Sequence, residues 1–271
     1  PRLDPRSNCR QHLEIPVGVR QMMKSRLDGV RAEDRQVLEA LALGGRETDL
    51  DVLLDVLDKD EEDVLDSLDR LLKAGIIRER RSAEVVLYSV THTKFGDVVY
   101  RDLVPERRAN LHRRMAAALE LQYAQNPAAL EIVGEHYRKA GDAGRAYRYL
   151  VAAAKRLADR SLIQEAWDLT EKAGTLEDSA FADLSADDFR SFRLDNLMVR
   201  ANVHYNRAEW VDAEKTYRAA LALAEESGDP RSACETRLQL ATVLRRRGLH
   251  KDSRLFAEQA LEASRRLPYR E

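Results

Sequence analysis

The chain has 271 residues, 44% of them apolar and 34% charged, with a net charge of −2. That is enough for one large domain or two ordinary ones with a packed core, and the balanced charge excludes a general attraction for nucleic acid or an anionic membrane. Twelve glycines, seven prolines and 6% aromatics favour helix over sheet, no apolar run is long enough to span a bilayer, and the polar opening Pro1-Arg2-Leu3-Asp4 is not a signal peptide.

Cys9 and Cys234 lie far apart and outside any CxxC or Cys/His cluster. Both read as free thiols of a reducing, cytoplasmic compartment. Because the chain opens at Pro1 rather than Met and its last helix stops near Pro268, we expect a piece of a longer polypeptide.

In chain order, residues 1–30 read as an irregular segment and a linker helix, the helix carrying Val19, Met22, Met23 and Leu27 from Pro16 to about Val30. Residues 31–92 change character. Helices are expected over Arg35–Leu43, closed by Gly44-Gly45, over Asp49–Leu57 with Asp49 as N-cap, and over Asp60–Lys73, ended by Gly75. Two short β-like runs follow, Ile76–Glu79 and Glu84–Val90, with polar Arg80-Arg81-Ser82 between them. Three helices and a small hairpin predict a winged helix, a variant of the helix-turn-helix.

Everything after Thr93 reads helical. Residues 93–126 hold connecting helices, Asp97–Leu103 and Pro105–Gln122, and Asn126-Pro127 opens an array over 127–271. Thr175–Asp188 is polar and acidic and reads as a long loop. The stretch from Ala201 to Ala213 realigns forty positions on with Ala241 to Ser253, and each half runs into an Ala-Leu pair, Ala220-Leu221 and Ala260-Leu261. A fixed period in this range means stacked helix pairs, which cannot bury their apolar faces singly. The predicted class is therefore all-α apart from one hairpin: a winged-helix domain followed by an α-solenoid.

The small residues fall at Gly134, Gly141, Ala146, Ala153; Ala154, Ser161, Ala166, Ala173; Ala201, Ala208, Ala213, Ala220; and Ala241, Gly248, Ser253, Ala260. This pattern resembles the tetratricopeptide repeat over roughly 128–268. It departs at Arg200 and Arg237, where that family usually has a large apolar residue, and the forty-residue period implies longer helices. The resemblance implies a concave face lined by the first helix of each pair. Its matching positions are Glu135, Arg138, Lys155, Asn202, Tyr205, Asn206, Thr242, Arg245 and Arg246. Asn and Arg side chains on adjacent helices there could clamp a peptide backbone or carboxylate.

The order of the blocks carries a second resemblance. It runs through Pro16-Val17-Gly18-Val19-Arg20, Val37–Gly45, Val64–Ile77, Thr91–Tyr100 and Arg108–His112. In that order it resembles the region after the nucleotide-binding domain in bacterial signal-transduction ATPases of the STAND class. This implies a missing NTPase domain elsewhere in the parent chain as an intramolecular partner. It also implies that His92, placed like the winged-helix histidine that touches the bound nucleotide's β-phosphate there, is a nucleotide-sensing candidate. The plainer reading of His92 is a cap for the following helix or a packing residue. His112, beside Leu111 and Met115, reads as packing.

No GxxxxGK[ST] loop and no kinase, hydrolase or metal motif is present, so we expect no catalysis and no cofactor in this chain. DNA is disfavoured as a partner, because the third helix, which would enter the groove, opens Asp58-Lys59-Asp60-Glu61-Glu62-Asp63 and continues through Asp66 and Asp69. The expected role is regulatory: a protein or peptide partner on the array biases a two-state lock on an NTPase or effector. The rivals are a DNA-binding regulator and a plain scaffold. Leu255, Phe256 and Leu261 on the last helix also leave open self-association through the last repeat.

Overall fold

The structure is a computed structural model that describes residues 26–44, 47–82, 85–123, 126 and 128–267. Of the linker helix expected over Pro16–Val30, only residues 26–30 are described, with 26–28 helical; the rest, and Cys9, lie outside the described residues. The chain divides into two units, residues 1–118 and 119–271. No helix among the described residues is long and apolar enough to cross a membrane.

The first unit begins with α1 (Ala32–Gly44), β1 (Thr48–Asp49), α2 (Leu50–Leu57) and α3 (Glu61–Lys73). It continues with β2 (Ile77–Arg81), β3 (Val86–Val90), α4 (Thr93–Asp102) and α5 (Pro105–Gln122), which carries the chain past the division. Asp49 caps α2 by accepting the Val52 N–H at 2.9 Å. Gly75 follows α3 in the left-handed region, φ 66°, where a side chain would be strained.

The hairpin expectation is corrected in two respects: Arg80 and Arg81, expected between the strands, pair with Leu87 and Val86 as part of β2, and the sheet has three antiparallel strands in the order β1-β3-β2. The added strand is the two residues Thr48 and Asp49, opposite Tyr88 and Leu87. Two residues are too few for a period-2 pattern to announce, and Asp49 reads in the sequence as the helix cap.

Val37, Leu38 and Leu41 of α1, Val52, Leu53 and Val56 of α2, and Val64, Leu68 and Leu71 of α3 fill the core, with Val98 and Val99 of α4. Arg70 clamps Asp34 across α3 and α1, donating from Nε and Nη2 at 3.1 and 2.8 Å.

In the second unit the helices are α6 (Leu130–Lys139), α7 (Ala143–Asp159), α8 (Ile163–Gly174), α9 (Glu177–Asp183), α10 (Ala186–Asn206), α11 (Trp210–Glu226), α12 (Pro230–Arg246) and α13 (His250–Arg266). The long loop expected over Thr175–Asp188 is thus replaced by α9 and the start of α10. The acidic residues that read as loop are first-turn residues, Glu177 and Asp178 of α9 and Asp187 and Asp188 of α10, where carboxylates complement the helix dipole. Ser185 caps α10 by accepting the Asp188 N–H at 3.1 Å. Ala180 and Phe189 are buried against α7 and its neighbours. Gly144 admits this element: an added Cβ would lie 3.0 Å from Asp183 Cβ.

One turn geometry recurs. Gly141, Ser161, Ala208, Gly228 and Gly248 all have positive φ, between 59° and 76°. Each is followed by the same closing bond, Asp142 N–H to Tyr137 O, Leu162 to Leu157, Glu209 to His204, Asp229 to Ala224 and Leu249 to Leu244, at 2.9–3.0 Å. This is the Schellman motif, which satisfies the last carbonyls of one helix and turns the chain back into the next. Helices of 17 to 21 residues in α10–α13 account for the forty-residue spacing.

The small residues are buried where helices cross: Ala146, Ala154, Ala166, Ala173, Ala201, Ala213 and Ala220 are fully enclosed. At Gly134 an added Cβ would meet Leu150 Cγ, Leu150 N and Tyr149 Cβ at 3.1 Å, so only glycine lets α6 and α7 approach this closely. The two departures from the repeat pattern have partners. Arg200 reaches Glu171 at 3.1 Å and lies over Trp167, and Arg237 reaches Glu225 at 2.5 Å, so both apolar stems are covered and both charges paired.

Candidate functional surface

Helices α10 and α12 each carry one stripe at spacing i, i+3, i+7, i+10, i+11, which lies on a single helical face. On α10 it reads Asp195, Met198, Asn202, Tyr205, Asn206. On α12 it reads Glu235, Leu238, Thr242, Arg245, Arg246. In both, a carboxylate comes first, an apolar residue second and a small polar residue third, with larger polar groups at the C-terminal end.

The stripes lie side by side, in parallel register. Arg246 donates from Nε to Tyr205 Oη at 3.2 Å near the C-terminal ends, and two turns earlier Thr236 Oγ1, whose proton goes to the Ser232 carbonyl at 2.7 Å, lies 3.3 Å from Met198 Sδ. Two groups are fixed from behind. Tyr217 of α11, fully buried, donates to Asn202 Oδ1 at 2.7 Å, which leaves the Asn202 amide NH2 aimed by that bond. Burial first, and then the Tyr205 and Glu235 charges, push the Tyr217 phenol well above its ordinary range, so it stays a donor. Asn206 donates to the Asn202 carbonyl at 2.8 Å.

Among the sequence candidates, the structure brings together Asn202, Tyr205, Asn206, Thr242, Arg245 and Arg246. Lys155 of α7 joins them through Asp195, donating at 2.7 Å. Partial burial works against the Lys155 charge, but the Asp195 bond and the charges of Asp195, Glu235 and Asp159 outweigh it, and its pKa is raised. Glu135 and Arg138 pair with each other on α6 at 2.7 Å. Burial opposes the Glu135 charge, and Arg138, Lys139 and Lys172 overcome it to hold the carboxyl below its usual range. Arg138 lines a separate open cleft of about 410 Å³ with Glu171, Lys172 and Thr175 of the α8 end.

Sequence reasoning missed Asp195, Met198, Glu235 and Leu238. The signal was available: each lies seven residues before a chosen position, and the two stripes match in residue type. Leu238 is 55% exposed in the middle of this polar face, an apolar side chain that no neighbour covers.

His92 occupies the N-cap position of α4, exposed and with no side-chain cap bond. Its expected helix start at Asp97 is corrected to Thr93, because Phe95 and Gly96 are buried and belong to the helix. The capping alternative therefore loses its hydrogen bond. His112 is fully buried, its Nε2 3.0 Å from Tyr100 Oη, which is a packing role.

The arginines of the β2–β3 strands are already engaged, Arg80 with Glu47, Arg81 with Glu79 and Arg78 with Ser89, while Glu61, Glu62, Asp63, Asp66 and Asp69 of α3 face solvent. Cys234 is a free thiol that donates to the Ala260 carbonyl at 3.2 Å. On α13, Leu255 and Leu261 are more than half exposed and only Ala260 is buried.

Residues 193–266 match the family model of the tetratricopeptide repeat. The matched stretch takes in most of α10 and all of α11, α12 and α13. Helices α6, α7 and α8 lie outside it but share its buried small residues and its turn bonds. Such repeats are protein-interaction modules, and the stripes of α10 and α12 sit on the first helix of each matched pair. Among the curated proteins none matches the chain. Among solved structures, one similar chain is a Signal Transduction ATPase with Numerous Domains (STAND) protein with a tetratricopeptide repeat sensor from Pyrococcus horikoshii, at 14% identity and a TM-score of 0.37. The alignment covers 92% of this chain but only 45% of that one, so this chain spans less than half of that protein's length.

Proposed function

We propose that the face of α10 and α12 binds a protein or peptide partner, and that this chain is a non-catalytic sensor segment. The observation that carries the reading is the pair of matched stripes, held in register by the Tyr205–Arg246 bond with Asn202 oriented from behind by Tyr217. Amide, hydroxyl and guanidinium groups in fixed positions around an exposed leucine are what a side chain and its flanking peptide groups need from a receptor.

The regulatory half of the proposal rests on the order of sequence blocks. Three helices and a β2–β3 hairpin, with the short β1 between the first two helices pairing onto β3, support reading residues 31–92 as a winged helix. The exposed imidazole of His92 supports it as the group that meets a nucleotide phosphate on an NTPase domain of the parent chain. In this scheme the winged helix holds the NTPase closed, and partner binding on the array favours the open state.

The test uses the full-length parent protein. Deleting residues 127–271 is expected to change both basal and stimulated ATPase rates. Arg245→Glu/Arg246→Glu is expected to leave the basal rate alone and abolish stimulation. Unchanged rates in both variants would remove the sensor role.

A further inference from the structure

The face of α10 and α12 has a polarity along the helix axes. At its N-terminal level stand Asp195 and Glu235. The first is already bonded to Lys155, whose charge also reaches Glu235, so this end keeps one unit of negative charge. One turn further lie the apolar residues, Leu238 exposed on α12 and Met198 partly buried on α10. Asn202 and Thr242 follow, and at the C-terminal level stand Arg245 and Arg246 with Tyr205 and Asn206, two units of positive charge. From Glu235 to Arg246 this polarity extends over about 16 Å, or three helical turns.

We propose that the occupant is a short amphipathic helix of the partner, laid antiparallel to α10 and α12. This inference rests on the partner-binding reading above and specifies its ligand. A helix characteristically carries carboxylates in its first turn and cations in its last, because each complements its own dipole. Laid antiparallel, such a helix puts its acidic first turn on Arg245 and Arg246 and its basic last turn on Glu235 and Asp195. Its own dipole then opposes those of α10 and α12, which is the favourable sense. Its apolar stripe falls on Leu238 and Met198, whose distances of one turn from Glu235 and two from Arg245 match the i, i+3, i+7 and i+10 spacing of a facing helix. An extended segment crossing the same face would meet one level of the stripes and leave the charge at the other level unanswered. A parallel helix would set like charges together at both ends.

The test is a displayed library of about 14-residue peptides with randomised end charges, selected on this chain and on a Glu235→Lys/Arg245→Glu/Arg246→Glu variant whose fold is checked by circular dichroism. The wild-type chain is expected to enrich helix-forming sequences with Asp or Glu in the first turn, Leu or Met in the middle and Lys or Arg in the last turn. A synthetic member is expected to bind about tenfold tighter than its end-to-end charge reversal, and the variant is expected to invert that preference. Proline-bearing extended sequences, or equal affinity for the two polarities with binding still lost in Leu238→Asp, would overturn the helix proposal and leave partner binding at this face standing. No enrichment that depends on these residues would overturn both.

Discussion

Ala208 closes the α10–α11 turn with φ 59°, in the same hydrogen-bonded geometry that Gly141 and Gly248 adopt at 76°. A Cβ in the left-handed region costs about 1–2 kcal/mol, because it crowds the following carbonyl. Replacing Ala208 by Gly removes that cost and returns about 0.4–1 kcal/mol to the freer unfolded chain. Ala208 is exposed, so no core contact is lost. The net expectation is about 0.5–1 kcal/mol of stabilisation. Gly248→Ala is the mirror experiment. No atom lies within 4 Å of the added Cβ, so only the backbone term acts, and the same magnitude appears with opposite sign. For a chain of this size either change moves the thermal midpoint by about 2–4 °C per kcal/mol. Urea and thermal unfolding followed by far-ultraviolet circular dichroism read both variants. If Ala208→Gly lowers the midpoint, or the two substitutions shift it in the same direction, the recurring left-handed turn is not what shapes these helix pairs.

Gly134→Val should cost about 2–3 kcal/mol, since its Cβ meets the backbone nitrogen of Leu150, which cannot rotate away. Melting of the variant checks this. Tyr217→Phe should cost about 1 kcal/mol and free the Asn202 amide, so partner affinity is expected to fall without a change in secondary structure, as titration calorimetry would record. Burial, with Lys139 beside it, drops the His136 pKa to about 4. The unfolded chain therefore binds the extra proton between about pH 6.5 and 4. Stability should fall through that window as pH drops, by up to about 1.4 kcal/mol per unit, and level off below it, and His136→Gln should flatten this part of the curve. Asp34 loses solvation by burial, yet the Arg70 bonds hold its pKa below the usual value. Its contribution is present above the unfolded carboxylate pKa and is lost as pH falls through the lower folded value, so Asp34→Asn should remove stability at neutral pH and flatten the acid limb of urea midpoints measured against pH.

The sequence made the repeat legible because its two signals are local and physical. Small residues must stand where helices cross, and one residue per turn must accept positive φ. Ala201, Ala213, Ala241 and Gly248 announce both. The same composition hid α9. Its acidic first turn reads as loop until Ala180 and Phe189 are seen buried beneath it, and no local pattern reports that Gly144 leaves room for Asp183. Strand β1 was hidden for a different reason: its two residues are ordered by pairing with Tyr88 and Leu87, nearly forty residues away. At the candidate surface, Asn202, Tyr205, Arg245 and Arg246 are candidates from repeat position alone. Asp195, Glu235, Met198 and Leu238 belong to the same stripes, one to three turns earlier, and their alignment in pairs needed the Tyr205–Arg246 and Thr236–Met198 contacts to be seen.

The most direct test of the account places a photo-crosslinking amino acid in the full-length protein at position 206 or 238, and separately at Arg254 on the exposed side of α13, and irradiates the cells that make it. The account predicts a discrete crosslinked partner from positions 206 and 238, lost with Arg245→Glu/Arg246→Glu, and none from position 254. Equal crosslinking from all positions, or a discrete partner captured at 254 alone, would contradict a binding face on α10 and α12.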